Sequence, residues 1–443
     1  MRRIAVSVLT LCIPLALLGQ QAQPVIAIRA GTLIDGTGAA PVRNAVILIR
    51  GDRITAVGAQ VQVPADATVI DLSAYTVLPG FIDSHVHLAG RTIGDGDWQH
   101  AELVQSPAER ALLGAAHAQQ TLEAGFTTVR NVGNDGFADI ALRNAINAGW
   151  VLGPRVLAAG ISFGVNGGHC DGSSGYWPGA LPQGRIEDGA ADGPEEVREA
   201  VRYNVKYGAD VIKICATGGV LSPTDSVGVQ QYTEEEMRAV VEAARMTERR
   251  VAAHAHGNEG IKAAVRAGVT SIEHGSILDD EAIQLMKRNG TWLVPTLMAG
   301  EGVETMARAG RLPPAIAAKA LAIAPRARQS FRLAVQGGVK IALGTDAGVF
   351  THGTNGHEFT LMVRGGMTPM QAIVAGTTSA ATLLGVERDV GSIQNGKAAD
   401  IVAVRGDPLQ DIAVLERVEF VMRNGVVFKR EGQVVGRSAN GIP

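Results

Sequence analysis

The sequence predicts an α/β fold: a (β/α)8 TIM barrel that carries a small β-sandwich built from both ends of the chain. Three observations support this prediction. Strand-like and helix-like patterns alternate over residues 76–385, which is typical of a parallel sheet covered by helices. Short, turn-rich β patterns occupy residues 23–75 and 386–443. The length of 443 residues leaves room for both parts.

The first segment, residues 1–22, predicts a secretory signal peptide. Arg2 and Arg3 give it a positive start, and the apolar run from Ile4 to Leu18 is too short to span a membrane. We therefore expect a bacterial protein that is exported, either periplasmic or secreted. After removal of the signal, no stable membrane anchor is expected.

The composition limits the kinds of partner that the protein is expected to bind. The net charge of −3 gives no electrostatic basis for binding nucleic acid. We expect a small-molecule substrate and a homo-oligomer. Beyond the signal, Cys170 and Cys215 remain, and an oxidising compartment would allow them to pair. Cys215 lies in a predicted buried strand, however, which favours a free thiol there.

The two terminal segments carry the same β pattern. Alternating Val and Ile run through VIAIRAGTLIDGTG and AVILIRGDRITAVG near the start, and through GKAADIVAVRG and VEFVMRNGVVFKREG near the end. Asn424-Gly425 predicts a hairpin turn. Neither segment has enough strands for a stable sheet of its own. The simplest solution is one β-sandwich assembled from both segments.

Eight strands are predicted for the barrel. The first lies within Thr76–Leu88, and the others are residues 126–132, 154–160, 210–216, 250–256, 270–274, 291–296 and 339–346. Helical patterns lie between them, including Pro194–Tyr207, Thr233–Glu248 and Asp279–Asn289. Thr233 and Glu236 form a predicted capping box. The long glycine-rich loop at residues 160–193 is predicted to be a lid over the barrel mouth.

Polar side chains gather at the predicted strand ends. His85 and His87 are two residues apart on a strand and therefore share a face. The carboxyl ends of barrel strands meet at one rim, which places the other candidates beside them. Those candidates are Lys213, His254, His256, His274 and Asp346. Such an imidazole-rich set predicts a divalent metal site, with zinc as the best match.

Lys213 is the informative member because it interrupts the apolar strand VIKICA. A buried ammonium group is costly, and metal ions beside it would repel it. Reaction of the amine with carbon dioxide removes both objections, since a carbamate is an anion with two oxygens that can bridge two metal ions. The alternative is a catalytic or ion-paired lysine.

These motifs make the family recognisable. The His-x-His strand in VLPGFIDSHVHL, the strand IKICATGG and the closing GSIQNGKAADIVAV resemble the amidohydrolase superfamily. The resemblance extends from residue 25 to about residue 430. Within the superfamily the chain resembles the binuclear branch near Xaa-Pro dipeptidases, imidazolonepropionase-related proteins and ochratoxinase-type amidohydrolases.

The resemblance implies two divalent ions, most simply zinc, bridged by carboxylated Lys213. The implied ligands are His85, His87 and Asp346 for one ion, and His254 and His274 for the other. Asp346 would also move the proton from the attacking water to the leaving amine. His256 would contact the substrate or its oxyanion.

Two further residues are weaker candidates for substrate binding. A tyrosine after strand four binds a substrate carboxylate in dipeptidase-like relatives, which implies this role for Tyr232. The alternative for Tyr232 is loop packing. His169 on the long loop is predicted to line the pocket, with a solvated loop histidine as the alternative.

The predicted reaction is hydrolysis of an amide or peptide bond with release of a free amino acid. This covers a carboxypeptidase, a dipeptidase or an N-acyl amino acid hydrolase, including action on ochratoxin-type phenylalanine amides. The alternative is a mononuclear deaminase or a cyclic amide or lactone hydrolase, against which Lys213 argues. A non-enzymatic binding protein is disfavoured because the whole ligand set is present.

Overall fold

The computed structural model describes residues 24–96, 98–181 and 184–435, so the predicted signal peptide lies outside the described residues. The strands are β1 (Val25–Leu33), β2 (Val42–Arg50), β3 (Arg53–Gly58), β4 (Thr68–Pro79), β5 (Phe81–Val86), β6 (Phe126–Asn131), β7 (Arg155–Ala158), β8 (Val211–Cys215), β9 (Arg250–Ala255), β10 (Ser271–His274), β11 (Trp292–Val294), β12 (Ile401–Val404), β13 (Phe420–Arg423), β14 (Val426–Arg430) and β15 (Gln433–Val434). The α-helices are α1 (Trp98–Val104), α2 (Pro107–Glu123), α3 (Ala138–Asn147), α4 (Gly193–Lys206), α5 (Glu234–Met246), α6 (Asn258–Ala267), α7 (Asp280–Asn289), α8 (Leu297–Arg308), α9 (Pro314–Gly337), α10 (His357–Arg364), α11 (Pro369–Val374) and α12 (Ala380–Leu384). In this part of the chain, no helix has the length and apolar character needed to cross a membrane.

The central strands close into the predicted barrel. Strands β5 to β7 pair in parallel, and so do β8 to β11. A parallel bridge between Phe163 and Ile214 joins the two groups. The predicted eighth strand is an extended segment instead: its Ile341 bridges to Leu293, and Ala347 just beyond it bridges to Val86. The eight segments thus form a closed ring, which confirms the predicted fold.

The helices cover this ring as their sequences predict. α5 begins directly after Thr233, whose hydroxyl accepts from the Glu236 N–H while the Glu236 carboxylate accepts from the Thr233 N–H. The predicted capping box is therefore present. The inner face of α5 buries Met237, Val240 and Ala244 against the barrel. This apolar stripe at helical spacing fixes the helix on the ring.

The first and last strands of the described chain share one eight-stranded sheet, in the order β15-β14-β13-β12-β4-β1-β2-β3. Strand β4 lies at the junction, because it pairs with β1 on one side and with β12 on the other. Ile28, Ile47, Ile401 and Phe420 are buried in a common apolar cluster. The N-terminal and C-terminal segments therefore contribute to one sheet. β4 itself runs across the predicted boundary between residues 75 and 76.

The loop between β7 and α4 returns across the end of β8. There Cys170 and Cys215 form a disulfide with a Cα–Cα distance of 5.9 Å. Gly164 leaves the space for it, since a Cβ at that position would lie 3.2 Å from Cys170 Cβ and 3.4 Å from Cys215 Cβ. The expectation of a free thiol at Cys215 was therefore wrong. A separation of 45 residues in the chain carries no information about the path of the loop.

Candidate metal centre

The first group of candidate ligands is formed by His85, His87 and Asp346. The histidines lie on β5 and directly after it, and Asp346 follows the eighth barrel segment. Asp346 Oδ1 lies 3.5 Å from His85 Nε2 and 3.3 Å from His87 Nε2. One ligand atom from each residue fits within 4.8 Å of the others, which is compact enough to hold one metal ion.

The second group consists of His254, His256 and His274, at the ends of β9 and β10. Their candidate ligand atoms also lie within 4.8 Å of one another. The ring centroid of His254 lies 4.7 Å from that of His256 and 4.6 Å from that of His274. His254 Nε2 is buried, and none of the described residues gives it a hydrogen-bond partner. A metal ion would satisfy this atom, so the donor set fits a metal site.

The two groups adjoin each other. The ring centroids of His85 and His274, one from each group, are 5.1 Å apart. The buried Lys213 lines the same cavity, and its charge acts on both of these imidazoles. The structure therefore brings all the sequence-predicted ligands to one end of the barrel.

Most of these imidazoles use Nδ1 to contact the protein. His85 Nδ1 donates to Glu273 at 2.7 Å, and His87 Nδ1 donates to the Gly133 carbonyl at 3.1 Å. Hydroxyl groups serve the second group: His256 Nδ1 lies 2.7 Å from Ser276 Oγ, and His274 Nδ1 lies 2.8 Å from Thr296 Oγ1. Anchoring Nδ1 leaves Nε2 for a metal or a substrate.

Burial sets the protonation of the ligand histidines. It lowers the pKa of His85 to about 4, although Asp346 and Glu273 oppose the shift. It also lowers the pKa values of His254 and His274 well below the usual range. These rings are therefore neutral near pH 7, the form that binds metal ions.

The pKa values of Lys213 and Asp346 are also shifted, and both shifts favour metal binding. Burial lowers the pKa of Lys213 to about 8. For Asp346, burial acts to raise the pKa, but His85 and His87 outweigh it and leave the pKa below its usual value. Lys213 therefore has a neutral fraction near pH 7, and Asp346 is ionised.

Backbone strain is concentrated at this rim. His274, Thr296 and Asp346 have φ angles of 72°, 48° and 62°, in the left-handed region that non-glycine residues seldom adopt. Two of the three are candidate ligands, and Thr296 holds the ring of His274. Such conformations cost energy and occur mostly at functional sites.

A buried charge pair behind His85 was not foreseen. Glu273 accepts from His85 on one oxygen and from Arg130 Nη2, at 2.8 Å, on the other. Burial opposes ionisation of Glu273, but Arg130 and His85 together lower its pKa to about 2. Arg130 also donates to the Ser84 carbonyl. A sequence signal existed, because both residues are charged positions within predicted buried strands.

Asp83 is a third residue that was not predicted from the sequence. This buried carboxylate accepts from the His85 N–H at 3.1 Å, from Thr345 Oγ1 at 2.6 Å and from Asn355 Nδ2 at 2.8 Å. It thereby joins β5 to the segment that carries Asp346. Burial raises its pKa to about 6 despite these hydrogen bonds.

The ligand groups lie in a cavity of about 360 Å³. Its polar lining residues include Arg91, Gln105, Arg110 and Asn134. Its apolar lining residues include Val220, Leu221, Val303, Ile323 and Val349. A ligand that carries both polar and apolar groups matches such a cavity.

His169 lines this cavity, as predicted. Its ring stacks on that of His254 with centroids 4.2 Å apart. Its Nδ1 lies 2.9 Å from Ser222 Oγ, and Ser222 Oγ in turn donates to Asp225. Burial lowers the pKa of His169 to about 4, so the ring is neutral near pH 7.

Tyr232 is placed differently from the prediction. It is fully buried in the apolar core, and its hydroxyl donates to the Ala191 carbonyl at 2.9 Å. It does not line the cavity. The predicted contact with a substrate carboxylate is therefore wrong for this structure. The alternative of loop packing describes Tyr232 correctly.

Comparison with known proteins agrees with this geometry. Residues 76–428 match the Amidohydrolase family. The ochratoxinase of Aspergillus niger is 35% identical over 447 aligned residues, covering 95% of this chain and 90% of the relative. A crystal structure of a Xaa-Pro dipeptidase with bound methionine in the active site superposes with a TM-score of 0.87. It has 43% identity and covers 91% of this chain and 100% of that chain.

A crystal structure of a prolidase complexed with N-methylphosphonate-L-proline is also similar, with a TM-score of 0.84 and 32% identity over 92% of this chain and 100% of that chain. The family match covers most of the sequence, and the barrel rim carries the candidate metal ligands expected of a metal-dependent hydrolase. The chain belongs to the amidohydrolase family and is a hydrolase that acts on amide bonds.

Proposed function

We propose that this chain is a binuclear zinc hydrolase that releases a free amino acid from a dipeptide or an N-acyl amino acid, including ochratoxin-type phenylalanine amides. The proposal rests on the two adjoining ligand groups and on the buried Lys213 in the same cavity. The ring centroids of His85 and His274, one from each group, are 5.1 Å apart. The similarity to an ochratoxinase and to a Xaa-Pro dipeptidase supports the amide substrate class.

Lys213 would join the two ions. Its neutral amine attacks carbon dioxide, forms a C–N bond and releases one proton, which leaves an anionic carbamate with two oxygens. Burial favours this reaction because it disfavours the ammonium form. Each carbamate oxygen would then serve one ligand group. The product also removes the cost of a cation beside the metal ions.

Metal ions bound here would supply a water of lowered pKa and would polarise the substrate carbonyl. The chain supplies the proton transfer. Asp346 is ionised and adjoins the first ligand group, so it can accept the proton of the attacking water and pass it to the leaving nitrogen. His87, next to it, is held at Nδ1 by the Gly133 carbonyl, which would leave its Nε2 for the same ion.

Substrate orientation is assigned to the two histidines that face the cavity without belonging to the proposed ligand set. His169 and His256 are both neutral and are both held at Nδ1 by serine hydroxyls. With Ser276 donating to its Nδ1, His256 can offer Nε2–H to an oxygen of the substrate, whereas His169, whose Nδ1 donates to Ser222, presents the Nε2 lone pair to a substrate N–H. The apolar lining residues of the cavity suit an apolar acyl or side-chain group. The bound ligands of the Xaa-Pro dipeptidase and the prolidase are an amino acid and an amino acid analogue, which supports this arrangement.

The test combines metal counting with a matched substrate panel. Protein purified without chelator is analysed for zinc, and its kcat/KM is measured on dipeptides, N-acyl amino acids and an ochratoxin-type phenylalanine amide. Each substrate is paired with its methyl ester or carboxamide. We expect two ions per chain and a clear preference for the free carboxylate.

Two outcomes would contradict the proposal. Full activity with one ion per chain would remove the bridging role of Lys213 and favour a mononuclear hydrolase. Equal rates on blocked and free substrates would indicate a general amidase or a lactonase instead of an enzyme that recognises the carboxylate.

We further propose that residues 1–22 direct export and that the mature protein is a homo-oligomer. The disulfide supports export, since disulfides persist mainly in oxidising compartments. N-terminal sequencing of the protein recovered from the periplasm or medium tests the first point, and light scattering tests the second. An intact signal on soluble protein, or a monomer in solution, would contradict the respective claim.

A further inference from the structure

The disulfide lies inside the candidate site. Cys170 directly follows His169 on the loop between β7 and α4, and Cys215 is two residues beyond Lys213 on β8. Both cysteines line the same cavity as the ligand groups. The bond therefore connects the loop that carries one proposed substrate contact to the strand that carries the proposed metal bridge.

Besides the stacking of its ring on His254, the contacts of His169 come from the loop between β8 and α5. Its N–H donates to Gln231 Oε1 at 3.0 Å, and its ring is held by Ser222. Ser222 depends on Asp225, which accepts from Lys319 at 3.0 Å. Gly219 lies directly against the ring, because a Cβ there would approach His169 Cε1 to 2.2 Å. His169 thus occupies a narrow slot. Among the described residues, the disulfide next to it is the only covalent cross-link between its loop and a barrel strand.

We infer that the Cys170–Cys215 disulfide is a positioning cross-link that holds His169 over the second ligand group, so that its reduction lowers turnover while the metal ions stay bound. The inference rests on the proposed function, because it assigns His169 to the substrate. None of the proposed metal ligands lies on the loop at residues 160–193. Loss of the cross-link therefore loosens His169 and leaves the ligands on their strands.

The redox step has a defined balance. A water-soluble phosphine attacks one sulfur and breaks the S–S bond. With one water molecule it yields two thiols and the phosphine oxide. The disulfide gains two electrons and two protons, and the phosphine is oxidised. A phosphine is preferred to a dithiol reagent here because a dithiol would compete for zinc.

The first experiment compares the zinc-loaded wild type before and after phosphine treatment. Free thiols, zinc content, kcat and KM are measured on the same samples. We expect two new thiols, unchanged zinc and a fall in kcat of ~10-fold or more, since small misplacements of a positioned group cost up to ~100-fold. Zinc loss in proportion to the fall in kcat would overturn the inference.

The double variant Cys170→Ser/Cys215→Ser is the matched control without thiols. We expect it to show the low kcat of the reduced wild type and no response to the phosphine. A double variant with wild-type kcat would overturn the positioning role. It would mean that the inhibition of the reduced wild type comes from the liberated thiols acting on the metal.

A second variant asks whether the effect acts through His169. His169→Ala has a low kcat of its own, and we expect the phosphine to lower it by less than ~2-fold, because the side chain that the cross-link positions is absent. A merely structural disulfide would reduce kcat by the same factor in both backgrounds. That result would overturn the inference.

Hydrogen exchange separates this inference from the proposed function, because it needs no substrate. Peptides from residues 160–193 of the full-length protein should exchange faster after reduction, while peptides from β9 and β10 stay protected. Faster loop exchange in a protein that hydrolyses nothing in the panel would contradict the proposed function alone. Unchanged loop exchange after complete reduction would overturn the cross-link inference.

Discussion

The two ligand groups differ in the protein groups that contact their histidine side chains at Nδ1. In the first group, His85 donates to the buried carboxylate of Glu273, which is balanced in turn by Arg130. In the second group, His256 and His274 contact the hydroxyls of Ser276 and Thr296. One group is thus supported by charge and the other by neutral dipoles. An anionic partner makes an imidazole a stronger ligand, so we expect the first group to bind its ion more tightly.

Lys213→Ala should have the largest effect, because it removes the anion proposed to serve both groups. We expect kcat/KM to fall by more than the ~100-fold that loss of a residue behind a ligand can cost. Zinc content should fall towards one ion or fewer per chain, with the barrel still folded by circular dichroism. Short carboxylic acids added to this variant should restore part of the turnover. A variant with near-normal turnover would contradict the bridging role.

Asp346→Asn should come next. The amide is nearly isosteric and retains an oxygen for the metal, but it cannot carry the proton. We expect kcat to fall by about 100-fold or more, the usual scale of general acid–base catalysis, with most of the zinc retained. Kinetics and elemental analysis of the same preparation check this. Parallel losses of zinc and kcat would show that Asp346 acts mainly as a ligand.

Glu273→Gln tests the charged support directly. The substitution removes the anion behind His85, so we expect the affinity of one ion to fall by about 10–100-fold. Competition with a chelator should then show one early and one late release of zinc. Arg130 loses its counter-charge, and the free energy of unfolding should fall by about 3 kcal/mol. The comparison between the groups would fail if both ions were weakened equally.

Thr296→Ala is the matched control in the second group, because Thr296 supports the proposed ligand His274, and it should have the smallest effect. It removes one neutral hydrogen bond, worth about 1 kcal/mol, so we expect roughly a 5-fold change in kcat/KM or less. Chelator competition should show zinc affinity close to that of the wild type. A loss as large as that of Glu273→Gln would erase the distinction between charged and neutral support.

The sequence made the ligands predictable because they lie at strand ends, where barrel geometry collects them. Lys213 was recognised as a charge within an apolar strand. Arg130 and Glu273 carry the same signal, in FTTVRNV and TSIEH. Arg130 and Glu273 were missed because they pair with each other inside the barrel, although their strands lie far apart in the sequence. Recognising that pair required the order of the strands around the ring.

The loops were less predictable than the strands. The position of His169 followed from its long glycine-rich loop, but the disulfide beside it depends on the path of that loop across β8. The position of Tyr232 after strand four suggested a substrate contact, yet its hydroxyl donates to the Ala191 carbonyl. Periodicity fixes which face of a strand is buried, but no comparable rule gives the direction of a side chain in an irregular segment.

The placement of β4 has a consequence for how the chain folds. β4 leads directly into the first barrel strand. It also pairs with β12 of the C-terminal segment, where Ile401 lies opposite Pro79 although the two residues are far apart in the sequence. Until the C-terminal segment docks, β4 exposes an unpaired edge that invites association with other chains. Contacts so distant in sequence form slowly. The end of the chain therefore controls the last step of folding, and a partly synthesised or clipped molecule is vulnerable to aggregation even when its barrel sequence is intact.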